Sequence, residues 1–429
     1  MADAMHASPL ARGTGLASGS ADAAFSPLAP TPAQLGGSPP RHLYAGRDPA
    51  RAITVQDLRA MAHRFLPDFA LGYLEGGAEQ EQTLARNLAA LAALRFVPRA
   101  LVDVSQRSLA ATLFGRQVPV PIVIAPTGLN GLFRAGADRM LAEAAAEAGI
   151  PFTQSTMSNM AMEEVYAGLD GLRHWWQLYV FGRPEVWEAL IARAERVGCE
   201  ALVVTTDAQI FGDRSWSRHH FTTPGHLTWG SVAGAGVHAR WLAATMLHRR
   251  GMPRFENILG FVPREHRGFY DSAFWVRGQM DKGLDWETVR RIRELWPRRL
   301  LIKGLIRPRD VARAAEIGAD GVVMSDHGGR QLDSTVAPLE MLPEARRLGG
   351  QDFTILVDGG IRRGSDVLKA IALGADAVQI GRAALYGVAA AGRSGVARAI
   401  AILTEEMDRT LGLLGATSLA ELGPDVLLR

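Results

Sequence analysis

His327 stands in the run Ser325-Asp326-His327-Gly328-Gly329-Arg330-Gln331-Leu332-Asp333, directly after the apolar stretch Gly321-Val322-Val323-Met324. An imidazole exchanges a proton near neutral pH, while a guanidinium stays charged and grips a carboxylate through two parallel hydrogen bonds. The two stand three residues apart at the tip of an expected buried strand, a pattern that points to chemistry on a small carboxylic acid.

Polar residues recur at the same place along the chain. Short apolar runs at 121–127, 152–156, 174–180, 201–207, 300–304, 321–325, 354–358 and 377–381 alternate with helical stretches such as 137–148, 184–197, 308–317 and 364–373. Eight such units favour an α/β fold of the (β/α)8 TIM-barrel type over an open doubly wound sheet. In that barrel the loops after the strands hold the chemistry. The run ends are Thr127, Ser155, Gln177 with Tyr179, Thr205 with Asp207, Lys303, His327 with Arg330, Asp358 and Arg382.

Two of these ends bear the marks of a phosphate site. Asp358-Gly359-Gly360-Ile361-Arg362 and Ile380-Gly381-Arg382 follow the last two strands, where barrels commonly bind phosphate on glycine-exposed N–H groups. Glycines also serve ordinary turns, and the two arginines also suit a solvated surface. Lys303 is either a surface lysine or, inside the barrel mouth, a cation able to stabilise an electron-rich cofactor ring. Thr205 and Asp207 alternate along one strand, so Asp207 is placed to hold the His327 imidazole in one tautomer.

Composition bounds the remaining possibilities. The chain has 429 residues, 48% of them hydrophobic and 21% charged, with a formal charge of +3, which fits a large globular core and gives no sign of a nucleic-acid partner. The single cysteine, Cys199, excludes an intrachain disulfide, no spaced Cys/His set calls for a metal, and a reducing cytoplasmic interior is the expected compartment. Residues 1–50 are rich in Ala, Gly, Ser and Pro and are expected to form a disordered extension before a domain at 51–429. No run of eighteen apolar residues occurs. Thr54 is the expected cap of a helix ending near Gly76-Gly77.

The fourth and fifth runs lie about ninety residues apart, too far for a barrel loop, so an insertion is expected at about 215–285. Its segment 237–250 mixes Trp241, Leu242, Met246 and Leu247 with Arg240, Arg249 and Arg250. Two readings stay open. One is an interfacial helix on an anionic membrane surface, with the apolar side chains in lipid and the arginines at headgroups. The other is a lid packed on the barrel or on a neighbouring subunit.

The ordered motifs Tyr73-Leu74-Glu75-Gly76-Gly77-Ala78-Glu79, Ala125-Pro126-Thr127-Gly128, Gln177-Leu178-Tyr179, Lys303-Gly304, the His327 run, Asp358-Gly359-Gly360 and Gly381-Arg382 resemble those of the FMN-dependent 2-hydroxy acid dehydrogenases and oxidases. The likeness spans 53–428. Within the family it is nearest the (S)-mandelate dehydrogenase branch, on the stretch 125–131, Ser158-Asn159-Met160, Leu295-Trp296-Pro297 and Leu385-Tyr386-Gly387, with the quinone-linked L-lactate dehydrogenases next.

The resemblance implies FMN, oxidation of an (S)-2-hydroxy acid to the 2-oxo acid, and a quinone-type acceptor. It also implies a homotetramer and, for the mandelate branch, peripheral attachment to the inner face of the cytoplasmic membrane. By position His327 becomes the base, taking the 2-hydroxyl proton or, on a competing account, the α-hydrogen, and Asp207 orients it. Arg330 and Arg214 hold the carboxylate, with Tyr73 and Tyr179 donating to the substrate. Lys303 stabilises the reduced flavin; Ala125, Pro126, Thr127, Ser155, Gln177 and Thr205 match ring contacts. Asp358, Gly360, Arg362, Gly381 and Arg382 match ribose or phosphate contacts. FMN fits better than a dinucleotide, because no Gly-x-Gly-x-x-Gly fingerprint opens the first βα unit.

Three positions depart from the family pattern. Asp326 replaces the usual asparagine and is expected to set a negative charge beside His327, raising the imidazole pKa. Ala208-Gln209 replaces a common Thr-Pro, and Met157 stands near the substrate side chain in place of a smaller or an aromatic residue. An oxidase reducing oxygen to peroxide is the alternative enzyme. A catalytically silent flavin-binding protein is the alternative outside enzymes, motivated by Asp326 and the variant loop.

Overall fold

Each apolar run becomes a strand because both of its faces find something to bury against. In the computed structural model, which describes residues 42–428 apart from 224, 225, 249 and 251, the barrel strands are β1 (Ile122–Ile124), β2 (Phe152–Ser155), β3 (His174–Tyr179) and β4 (Ala201–Thr205). They continue as β5 (Arg299–Leu305), β6 (Gly321–Met324), β7 (Thr354–Val357) and β8 (Ala377–Ile380). Among the described residues these eight pair in parallel and close, β8 joining β1 and β4 joining β5.

Alternation along the strands separates two cores. Val123, Trp175, Val203, Leu301, Val323 and Leu356 fill the barrel, where they meet Leu113 and Val118 from the hairpin of Ala111–Leu113 with Arg116–Val118. Their neighbours Ile122, Ile124, Val322, Ile355 and Val378 face the surrounding helices. The expected helices are found at Ala137–Glu147, Pro184–Val197, Pro308–Glu316 and Gly364–Ala372.

The N-terminal helix differs from the expectation. Thr54 caps it as anticipated, in a capping box with Asp57, but it stops at Phe65, and a second helix, Asp68–Glu75, leads to Gly76. Pro67 makes the break, since it lacks the N–H that a continuous helix would bond. Residues just before Thr54 are tied down: the Tyr44 N–H donates to Asp57 Oδ1 at 2.8 Å, and Arg64 donates to the Tyr44 and Gly46 carbonyls. The part of the expected extension at 1–41 lies outside the described residues, as does Arg249.

Between β4 and β5 run the helices Ser215–Arg218, Trp229–Val237, Ala239–Ala244, Phe269–Gln279 and Trp286–Leu295. Trp241 is only 1% exposed. Its indole donates to the Leu132 carbonyl at 2.8 Å and meets the Phe69 ring edge-on at 5.5 Å, so the expectation that it enters lipid is corrected. Leu242 and Met246 are half-buried against the same core, and Arg250 pairs with Glu164. The apolar surface lies instead on Trp229–Val237, which buries no residue and exposes Trp229 by 87% and Val237 by 81%, with Leu247 nearby in sequence at 78%. Among the described residues no helix is long and apolar enough to cross a membrane.

Candidate active site

The C-terminal ends of the strands surround one cavity of about 950 Å³, counted out to its open mouth. Ala125, Pro126 and Thr127 line it from β1, Ser155 from β2, Tyr179 from β3 and Lys303 from β5. His327 and Arg330 enter from the loop after β6, and Asp358, Gly360, Arg362, Gly381 and Arg382 from the ends of β7 and β8. Tyr73 closes one side from the helix Asp68–Glu75. Gln177, Thr205, Asp207 and Arg214 stand around the lining side chains.

His327 adopts φ +61°, a left-handed conformation costly for a residue with a Cβ. The turn is held by the His327 N–H donating to Ser325 Oγ at 3.0 Å, and it brings His327 Nδ1 to 3.0 Å from Asp207 Oδ1. Burial alone would raise the Asp207 carboxyl; the imidazole of His327 and the ammonium of Lys303 outweigh it and hold the carboxyl below its ordinary value. Gln331 of the same run braces this loop by donating to the Asp207 and Ile210 carbonyls at 2.5 and 3.1 Å.

Two arginines gather at the Tyr73 ring. Arg330 Nη1 donates to the carbonyls of Tyr73 and Gly76, and its guanidinium lies 4.9 Å from the Tyr73 ring centre. Arg214 approaches the same ring at 5.9 Å with its buried Nε unpaired. Burial, with Arg214 beside it, pushes the Arg330 guanidinium well below its usual value. Tyr179 is raised by burial and by Asp207, so its hydroxyl stays a donor.

Asp326 is held by groups other than the base. Its Oδ2 accepts from Asn87 Nδ2 at 2.7 Å and its Oδ1 from the Gly329 N–H, so its hydrogen bonds go to neighbours other than His327. Burial and the nearby Asp358 push it up to about 6.

The remaining groups fit a flavin mononucleotide. Gln177 Oε1 accepts from Ser155 Oγ at 2.9 Å, which leaves Nε2 buried without a partner; Thr127 Oγ1, Thr205 Oγ1 and Asp358 Oδ1 are buried and unpaired too. Unpaired buried polar atoms are rare unless something enters to meet them. Lys303 donates to Ser325 at 2.6 Å and pairs with Asp358, so it is a buried cation under the mouth, not a surface lysine. At the other end Gly359 and Gly360 hold φ +100° and +83°, and a Cβ on Gly360 would stand 2.8 Å from the Asn87 carbonyl. Arg382 spends its guanidinium on the carbonyls of Leu74, Gly328 and Gly76. What it offers a phosphate is the N-terminus of its helix, Arg382–Ala391, beside Arg362.

Three further residues of the site were not singled out in sequence: Asn87, Phe133 and Gln379. Only Gln379 left a signal, a polar side chain inside the apolar run Ala377-Val378-Gln379-Ile380.

Known proteins resemble this chain in sequence and fold. The chain is 41% identical to the (S)-mandelate dehydrogenase of Pseudomonas putida over 87% of this chain and 93% of that one. It is 37% identical to an L-lactate dehydrogenase of Pectobacterium atrosepticum over 87% and 96%. A crystal structure of the monotopic membrane protein (S)-mandelate dehydrogenase superposes with a TM-score of 0.83 at 40% identity, covering 88% of this chain and 99% of that one. A family model described as FMN-dependent dehydrogenase matches residues 62–429, and the chain belongs to that family.

Proposed function

We propose that this protein oxidises an (S)-2-hydroxy acid with a mandelate-like side chain to the 2-oxo acid and passes the electrons from FMN to a quinone. The observation that carries the reading is the His327–Asp207 pair and the Arg330–Tyr73 clamp opening on one cavity. Arg330 and Arg214 bind the carboxylate and fix which face of C2 meets the cofactor. Tyr179 donates to the substrate. Asp207 holds Nδ1 of His327, leaving Nε2 to take one of the two protons the substrate gives up. FMN supplies the two-electron acceptor, and Lys303 offsets the negative charge that reduction brings.

Met157 and Phe133 give the cavity an apolar wall, which favours an aryl side chain over the methyl of lactate. The segment at about 215–285 is the membrane-facing insertion in this reading, and Trp229–Val237 its lipid-side helix. That contact, on the inner face of the cytoplasmic membrane, brings the enzyme to its quinone. The homotetramer implied by the family resemblance belongs to the same reading, and light scattering measures it directly.

Anaerobic mixing of the holoprotein with (S)-mandelate, L-lactate and glycolate tests the proposal. Mandelate should bleach the flavin band fastest, and a quinone analogue should restore it faster than oxygen does. Faster restoration by oxygen with peroxide formed makes the protein an oxidase. No bleaching by any 2-hydroxy acid makes it a silent flavin protein.

A further inference from the structure

Gln379 takes no part in the chemistry above, yet its side chain is the least satisfied in the described structure. It sits on β8 in register with Val123 of β1. Alternation turns it to the same side as Ala377, which belongs to the barrel filling, and Gly381, which lines the mouth. Its carboxamide therefore stands on the floor of the cavity, 1% exposed. Both Nε2 and Oε1 are buried without a hydrogen-bond partner; no other side chain has two such atoms among the described residues.

A methionine of nearly the same shape would avoid both penalties, so the amide is accounted for by a partner that enters through the cavity. That partner must donate and accept. The ring end of the cavity is marked by Ser155 and Lys303 and the phosphate end by Gly360 and Arg362. Gln379 on β8 and Asp358 after β7 lie on the strands that lead to the phosphate end, below its loops, and Asp358 Oδ1 is also unpaired. Of the three parts of FMN, the ribityl chain joins ring to phosphate, and its hydroxyls both donate and accept.

We propose that Gln379 is a cofactor-binding residue whose carboxamide takes a ribityl hydroxyl of FMN beside Asp358. The inference rests on membership of the FMN-dependent family and extends it to a residue of this chain. The test is Gln379→Met. Apoprotein is titrated with FMN and with riboflavin by flavin fluorescence, melting temperatures are measured with and without FMN, and the flavin midpoint potential is recorded.

Affinity for FMN and riboflavin should fall by the same factor, about tenfold, or about 1.4 kcal/mol. The apoprotein should melt no lower than wild type, and the midpoint potential should not move. Arg362→Met, by contrast, should weaken FMN and spare riboflavin. Unchanged FMN affinity overturns the proposal and leaves a trapped water as the partner. A parallel drop in apoprotein melting makes Gln379 a packing residue, and a shifted potential moves the contact to the ring; either overturns the assignment. Gln379→Leu carries the same expectations should the methionine variant not fold. Wild-type protein that binds no FMN overturns the family reading as well.

Discussion

Asp207 Oδ1 and His327 Nδ1 meet at 3.0 Å from positions 120 residues apart, one after β4 and the other after β6. With Asp207 ionised, the shared hydrogen sits on Nδ1 and the other ring nitrogen is the one free to accept a proton. His327→Ala should keep its FMN and lose flavin reduction by about 10²–10⁴-fold, the usual share of a positioned base. Stopped-flow reduction at saturating mandelate reads this directly, and a wild-type rate in the variant would falsify the assignment. Because the Asp207 carboxyl is held below its ordinary value, the stability it contributes is present above the unfolded pKa and is lost as the pH falls through the folded one.

Arg330 has two tasks, since the nitrogen that binds the Tyr73 and Gly76 carbonyls belongs to the same fork that faces the cavity. Arg330→Lys should raise KM by roughly tenfold to a hundredfold, in line with a charged hydrogen bond of about 1.5–3 kcal/mol. Steady-state kinetics alongside a flavin absorbance ratio separates this from cofactor loss. Equal KM values would place the carboxylate elsewhere.

Asp326 makes a pH-dependent prediction of unusual sign. Its carboxyl is pushed from 3.8 up to about 6, so between those values the unfolded chain has released a proton that the folded protein still holds. Stability from this site therefore declines as the pH rises through that window, and the penalty is complete above it. Asp326→Asn should stabilise the protein at pH 7.5 by about 1–3 kcal/mol and give no gain near pH 4. Asn87 Oδ1, now unpaired, can turn to accept from the new amide. Urea unfolding at the two pH values checks it; a gain independent of pH would assign the effect to packing.

The insertion offers a contrast between two tryptophans. Trp229→Ser with Val237→Ser removes exposed apolar surface and should shift the protein from anionic vesicles to the supernatant without changing its melting temperature. Trp241→Ala should instead destabilise the fold by about 3–5 kcal/mol and leave vesicle binding of the folded fraction unchanged. Co-sedimentation paired with thermal melting distinguishes the two. Vesicle binding that depends on Trp241 alone would return the lipid contact to the segment at 237–250.

Much of the barrel was legible because the information is local. A strand buried on both faces must be a short apolar run, and the residue that ends it must be polar if it borders a cavity, so 174–180 announces β3 and Tyr179 together. The Thr54 capping box is similarly written in four residues. Pro67 was equally visible, and the helix break it imposes follows from its missing N–H.

Other features were settled by neighbours distant in sequence. Asp326 adjoins His327 in the chain, but the left-handed turn at His327 and the amide of Asn87, 239 residues away, decide which way its carboxyl is held. Trp241 follows Arg240 in an apolar-basic stretch and Trp229 opens a run of small and apolar residues, and composition cannot tell which indole seeks lipid and which seeks a core. The Leu132 carbonyl and the Phe69 ring buried the first, while the helix Trp229–Val237 packs only part of its surface on the core and leaves Trp229 exposed. Local periodicity fixes which residues avoid water; only the assembled tertiary structure decides what covers them, because the covering group comes from another part of the chain.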